Sequence, residues 1–302
     1  MSAASHLHPG ELVAAHLWIV GAGRTGLSLG LRLHHVHAVR ALTITGRRAD
    51  APRHPLFEGH PSPAEYRGAI ERPASDVDAV VVAVPDRAIA EVAEGLASIE
   101  LPASIPILHT SGSRSADALG ALAARGHSVG SVHPLAALAD PVSGADRLAG
   151  ATWGVEGEGA AGALAARIVR ACGGRALRIA PGGKAAYHAA AVFASNYAVA
   201  LLGVAERLME EAGVHAEDAR TALAALAAGA VENVAARGPA AALTGPVLRG
   251  DAETVALHLA RLSADERALY CLLGREALRL ARAAGLDAAA ADRIGILLGE
   301  GR

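Results

Sequence analysis

The sequence predicts an α/β fold in two parts: a doubly wound sheet of parallel strands over residues 1–180, then an all-helical part over residues 181–302. Three observations carry this. Short apolar strand-like runs alternate with helical stretches as far as residue 180. A turn with three glycines, Gly21-Ala22-Gly23-Arg24-Thr25-Gly26, joins the first strand to the first helix. Beyond Pro181-Gly182-Gly183 the strand runs stop and only helical stretches follow.

Taken in order, "HLWIV" (16–20) is the first strand and runs through the glycine turn into a helix ending near Leu33. "ALTIT" (41–45) is the second strand. "DAVVVAVP" (78–85) is the third, apolar on both faces as a central parallel strand should be. The helix "DRAIAEVAEGLASI", the strand "IPILHTSG" (105–112), the helix "SADALGALAARG" and the short strand "HSVGSVHPL" come next. "ATWGVEG" (151–157), a helix and "RALRIA" (175–180) complete the alternation. In the second part, Gly213 sits just past one long helix and Gly238-Pro239 closes the next. Ser263 and Glu266 have capping-box spacing at the start of another, which Gly285 ends.

Composition narrows the function. The chain has 302 residues, 52% hydrophobic and 19% charged, enough for a sizeable core. A net charge of −2 without long like-charge blocks argues against a nucleic-acid or membrane-surface binder. Cys172 and Cys271 are far apart, which fits a reduced cytoplasmic protein. The N-terminus lacks a basic region followed by an apolar stretch and a cleavage site, so no leader peptide is expected. The alanine-rich stretch from Ala185 to Ala205 comes nearest to a membrane span, but it contains His188 and Asn196, and no span is expected.

G-x-G-x-x-G alone is a weak signal; between a strand and a helix at the start of a sheet it is a strong one for a dinucleotide. Gly21 allows the tight turn, Gly23 lets a pyrophosphate approach the backbone and Gly26 lets helix and strand pack closely. With Ala22, Arg24 and Thr25 these residues open a helix whose N-terminus attracts phosphate. An NAD site carries an acid about 20 residues on, at the end of the second strand. Here no Asp or Glu lies between Arg24 and Asp50, and Arg47 and Arg48 follow "ALTIT" directly. Two guanidiniums can clamp a 2′-phosphate, so NADP is the expected cofactor. Val84, Pro85 and Ser111 lie at strand ends that should line the nicotinamide end of the cleft. Asp86 is read as a helix cap.

The stretch 181–213 sets Lys184, His188, Ser195 and Asn196 into an apolar helix. At 100° per residue Lys184, His188 and Ser195 share one face, with Asn196 at its flank. Hydride transfer to a carbonyl or imine needs a proton donor, and a partly desolvated lysine suits that role. Lys184 and His188 are therefore the candidate catalytic pair, with His133, Asn196 and Arg249 as candidate substrate contacts. Arg249 is equally read as part of a turn in which Asp251 caps the next helix. "HHVH" (34–37) ends the first helix, where cations suit the dipole, and no metal site is expected.

The glycine motif, "VVVAVPD", "SVHPL", "GGKAAYHAAAVFASNY" and "ALTGPVLRGD", in this order, resemble a family of Rossmann-like proteins with a helical C-terminal domain of unassigned function. That family is similar to the β-hydroxyacid dehydrogenases, pyrroline-5-carboxylate reductases and ketopantoate reductases. The resemblance implies NADP binding and a homodimer formed through the helical domain, a pairing that the apolar helices also favour. It also implies a catalytic lysine at Lys184; in the β-hydroxyacid dehydrogenases an asparagine follows four residues later, where this chain has His188. The expected function is an NADP-dependent oxidoreductase acting on C=O or C=N in a small, anionic metabolite. The alternatives are a non-catalytic NADP-binding sensor or scaffold, and a reductase linked to a deazaflavin.

Overall fold

The computed structural model describes residues 12–71 and 76–300. Residues 1–11 of the N-terminal stretch read as leader-free lie outside that range. The described residues fall into two compact units that divide between Asn196 and Tyr197.

In the first unit one sheet contains β1 (Ala14–Val20), β2 (Val39–Thr45), β3 (Glu65–Arg67), β4 (Ala79–Val82), β5 (Ile107–His109), β6 (Val129–Pro134), β7 (Thr152–Glu156) and β8 (Arg175–Arg178). Their spatial order is β3-β2-β1-β4-β5-β6-β7-β8, with the change of direction between β1 and β4. The helices are α1 (Arg24–His35), α2 (Ile89–Ala97), α3 (Gly120–Ala123), α4 (Ser143–Arg147), α5 (Gly159–Ala171) and α6 (Lys184–Val192). Both faces of the sheet are covered. Leu17 and Ile19 of β1 point into one layer, with Leu27 of α1 and Leu164 and Ile168 of α5. Trp18 and Val20 point into the other, with Ile89, Ala93 and Leu96 of α2. This is the expected doubly wound Rossmann architecture, and its strands are apolar on both sides for that reason.

Two features depart from the sequence expectation. The short edge strand β3 extends the sheet beyond β2, pairing Thr43–Thr45 with Glu65–Arg67. The sheet is also not wholly parallel, because β7 runs antiparallel to β6. The link between them does not cross the sheet: Leu135 N donates to Thr152 O at 2.8 Å, and Ser28 of α1 donates its hydroxyl to Pro141 O at 3.0 Å. The chain therefore re-enters at the edge where it left, which parallel pairing forbids.

Among the described residues of the second unit the regular elements are all helices: α7 (Ala198–Glu211), α8 (Ala216–Arg237), α9 (Pro239–Ala242), α10 (Ala252–Arg261), α11 (Ala264–Ala283) and α12 (Ala288–Leu297). Its core gathers Val247, Val255, Leu259, Leu278, Ala281, Ile294 and Leu298. The punctuation behaves as its chemistry demands. Ser263 and Glu266 form a reciprocal capping box on α11, and Gly213, Gly238 and Gly285 take positive φ at helix ends. Asp251 caps α10 by accepting from Thr254 N at 3.0 Å.

The architecture changes at Lys184, close to the expected boundary after residue 180, but the compact units divide later, between Asn196 and Tyr197. The reason is α6, whose first turn is anchored in the sheet. A π turn, Phe193–Tyr197, separates α6 from α7. The continuous run Lys184–Glu211 is long and apolar enough to cross a membrane by length and composition.

Candidate active site

β1, β4, β5 and β6 are parallel neighbours, so their carboxyl ends share one edge of the sheet. The glycine turn lies there. Gly21 has φ +129°, and a Cβ on it would lie 2.2 Å from Ala83 O. A Cβ on Gly26 would lie 2.0 Å from Gly21 O, so both glycines are needed by the protein itself. Gly23 is different: a Cβ there would meet nothing within 4 Å. Its bareness serves no internal contact and leaves open the approach to the first turn of α1. That turn has no side-chain cap and no acidic residue, so its N–H groups point outward unneutralised. These features fit a dinucleotide pyrophosphate.

Arg47 and Arg48 are exposed just past β2, beside the glycine turn. Their loop is held from below by Tyr66 of β3. A Cβ on Gly46 would strike the Tyr66 hydroxyl at 2.3 Å, and that hydroxyl donates to Arg48 O at 2.9 Å. Arg24 and Thr25 line a cleft of about 220 Å³ with His133, Pro134, Ala136 and Leu138, which leads from the glycine turn to the end of β6. Ala22, Val84 and Ser111 are half-buried or buried, and Pro85 is exposed, all at the same strand-end edge.

Lys184 begins α6 and is 3% exposed. Its Nζ donates to Ser111 O at 2.7 Å and to Ser131 Oγ at 3.0 Å, and lies 5.7 Å from the Tyr187 ring centroid. Burial draws the Lys184 pKa down, against the opposing charges of Glu156 and Asp86. It is the sole lysine of the chain, against 27 arginines. Everywhere else this protein uses guanidinium for positive charge; only here does it use an amine, which can be desolvated and give up a proton.

The helix brings further groups to the same place. Tyr187 packs over Gly154 of β7, where a Cβ would lie 2.4 Å from its Cζ. Tyr187 Oη lies 2.9 Å from His133 Nδ1. The rings of His133 and His188 meet edge-on with centroids 5.9 Å apart. Both converge on Gly112: a Cβ there would lie 2.6 Å from His188 Nδ1 and 2.9 Å from His133 Nε2. His188 Nδ1 is buried without a hydrogen-bond partner, a polar atom left open at the centre of the cluster.

The remaining candidates have different local surroundings. Asn196 and Ser195 are exposed on the π turn; the α-helical count of 100° per residue lapses there, and they do not join Lys184. Arg249 is exposed in the second unit, in the turn before α10. Asp86 is not a side-chain cap of α2; its Oδ2 accepts from Ser113 Oγ at 2.5 Å. Although desolvation opposes ionisation, bonds from Ser113 and Ser111 and the charges of His188 and Arg114 carry its pKa below the usual value. Tyr187, Ser131, Glu156 and Gly154 were not singled out in the sequence, although Ser131 and Tyr187 lie within "SVHPL" and "GGKAAYHAAAVFASNY". The signal for this cluster was available in composition, as the solitary lysine.

His109 is fully buried, accepting from Ser111 N through Nδ1 and donating through Nε2 to Ser115 O. Burial, helped by Lys184, lowers its pKa from 6.5 to about 4; burial, Lys184 and His188 do the same to His133. Between pH 6.5 and 4 the unfolded chain takes up protons that these folded histidines refuse. Stability is therefore expected to be full above that window and to fall as the pH drops through it, by roughly 3 kcal/mol at the acid end for His109. Urea midpoints at pH 7 and pH 4.5 check this: a His109→Gln variant should lose less stability on acidification than the parent protein.

Comparisons with known proteins follow the architecture. Residues 151–277 match a domain of unknown function, DUF2520. No curated protein matches the sequence. Protein TM1727 from Thermotoga maritima is 24% identical with a TM-score of 0.65, over 88% of this chain and 98% of that one. A pyrroline-5-carboxylate reductase from Coxiella burnetii is 16% identical with a TM-score of 0.59, over 94% and 98%. Pyrroline carboxylate reductase from Plasmodium falciparum, solved with NADP bound, is 13% identical with a TM-score of 0.55, over 95% and 100%. The chain thus shares its fold, a Rossmann domain followed by a helical domain, with these proteins, and it resembles a Rossmann-like family of unassigned function as its motifs implied.

Proposed function

We propose that the protein is an NADP-dependent oxidoreductase that transfers a hydride to a C=O or C=N bond of a small, anionic metabolite. The observation that carries this reading is the sole lysine, buried at the strand ends beside a dinucleotide-type glycine turn. The cofactor supplies the hydride when bound. Gly23 and the first turn of α1 hold its pyrophosphate, and Arg47 and Arg48 hold the 2′-phosphate. Lys184 keeps one N–H beyond those given to Ser111 O and Ser131 Oγ, and it passes this proton to the developing alkoxide or amine. His188, with Nδ1 open over Gly112, orients the substrate, and His133, which lines the cleft, is held by Tyr187. The charges of Lys184 and Arg24 favour an anion there. That solved structures of similar fold include reductases, one with NADP bound, supports the same reading.

A metabolite panel monitored by NADPH consumption identifies the substrate. On that substrate Lys184→Ala is expected to cut turnover by ~10²–10⁴ while leaving NADPH affinity nearly unchanged. Lys184→Arg should rescue little, because guanidinium does not release its proton near neutral pH. An unchanged rate in Lys184→Ala would remove the lysine from the chemistry.

The cofactor is tested by titration. NADPH should bind at least about tenfold more tightly than NADH, a difference of roughly 1.4 kcal/mol. Replacing Arg47 and Arg48 by Ala should erase most of that gap, and equal affinities in the intact protein would refute the assignment.

The assembly proposed is a cytoplasmic homodimer through the helical unit. α8 buries only Ala219, while Leu226 and Val231 are 72% and 68% exposed, more apolar surface than a solitary helix face usually leaves to water. Light scattering at micromolar concentration should give twice the chain mass; a monomer would remove the claim.

A further inference from the structure

Resting on the proposed role of Lys184, we infer that Ser131 and Glu156 form its proton supply: a path that reloads the amine from solvent. A residue that gives up a proton each turnover must regain one, and Lys184 is almost sealed from water. Of the groups that its Nζ touches, Ser111 offers a carbonyl, which only accepts, and Tyr187 offers its ring face. Ser131 Oγ alone can both accept and donate a proton.

From Ser131 the path has one continuation. Antiparallel pairing sets Ser131 of β6 directly opposite Glu156 of β7, so their side chains stand on the same face. Ser131 Oγ lies 3.5 Å from Glu156 Oε2, which also accepts from Ala116 N at 3.0 Å. Glu156 is half-buried, so the carboxylate links the sealed amine to water. In the transfer, Glu156 takes a proton from solvent and passes it to Ser131 Oγ as the Ser131 hydroxyl gives its own hydrogen to the neutral Nζ. The net change is one proton moved from solvent to Lys184, with both carriers restored. The other titratable groups facing Lys184 are Asp86, His109, His133, Tyr187 and His188. His109 and His133 are held neutral, and Asp86 is tied to Ser113.

Because the chain has one lysine, protein made with [ε-15N]lysine gives one Nζ signal, and the path can be tested without substrate or cofactor. In the unaltered protein the Nζ protons should exchange with solvent far more slowly than those of free lysine. Glu156→Gln, nearly isosteric and still able to accept from Ala116 N, should lower the Lys184 titration midpoint and slow exchange by at least about tenfold. Ser131→Ala should slow exchange likewise. Exchange as fast as free lysine in the parent protein overturns the inference even if a variant fails to fold. So does a Glu156→Gln protein in which the midpoint moves but exchange does not, which would make Glu156 a fixed charge only. These readouts are independent of turnover: loss of the Lys184 role shows in Lys184→Ala kinetics, and loss of the path shows here.

Discussion

A positive charge placed at the first residue of a helix, and then buried, works against two rules of protein electrostatics at once. The amide dipoles of α6 repel a cation at its N-terminus, and removal from water penalises the ammonium again. Lys184 tolerates both because the sheet offers it a carbonyl from the loop after β5 and a hydroxyl from β6, with Glu156 and Asp86 near enough to oppose the penalty. That single insertion fixes the rest. It holds α6 against β6 and β7, places Tyr187 over Gly154, and brings His188 edge-on to His133 above Gly112. The glycines of this region are the complement of the helix, sites where a methyl group would push it off the sheet.

The same insertion explains why the boundary between the compact units lies within a helical run. α6 has the composition of a helix from the second part of the chain, yet its contacts belong to the first. The π turn at Phe193–Tyr197 resets the phase between a segment governed by the sheet and one governed by other helices. By composition the run from Lys184 to Glu211 could cross a bilayer; its buried, hydrogen-bonded first residue instead places that end among strands.

Much of this was legible in the sequence because it is local. Strand-and-helix alternation, the three glycines, the capping box of Ser263 and Glu266, and the glycines that end helices all depend on residues close together in the chain. What was not legible depends on pairing across the sheet. β3 is three residues long and half-exposed, too short for a periodic signal. The reversal of β7 follows from where its connection packs, and Glu156 becomes a neighbour of Ser131 only through that reversal. Asp86 looked like a helix cap because caps are read from spacing, whereas its partner Ser113 arrives from another strand end. Ser195 was read onto the lysine face, with Asn196 at its flank, because a constant 100° step takes no account of a π turn.

The β6–β7 pairing carries a consequence for how this family of shapes can vary. A ladder has a period of two, so sliding β7 by a single residue would turn Glu156 to the opposite layer and swing bulky Val155 or Trp153 towards Tyr187. Insertions in the connection between these strands are tolerable only where they leave that alignment intact. The length of an inconspicuous surface link, rather than the identity of any polar side chain, thus governs whether the polar cluster exists at all.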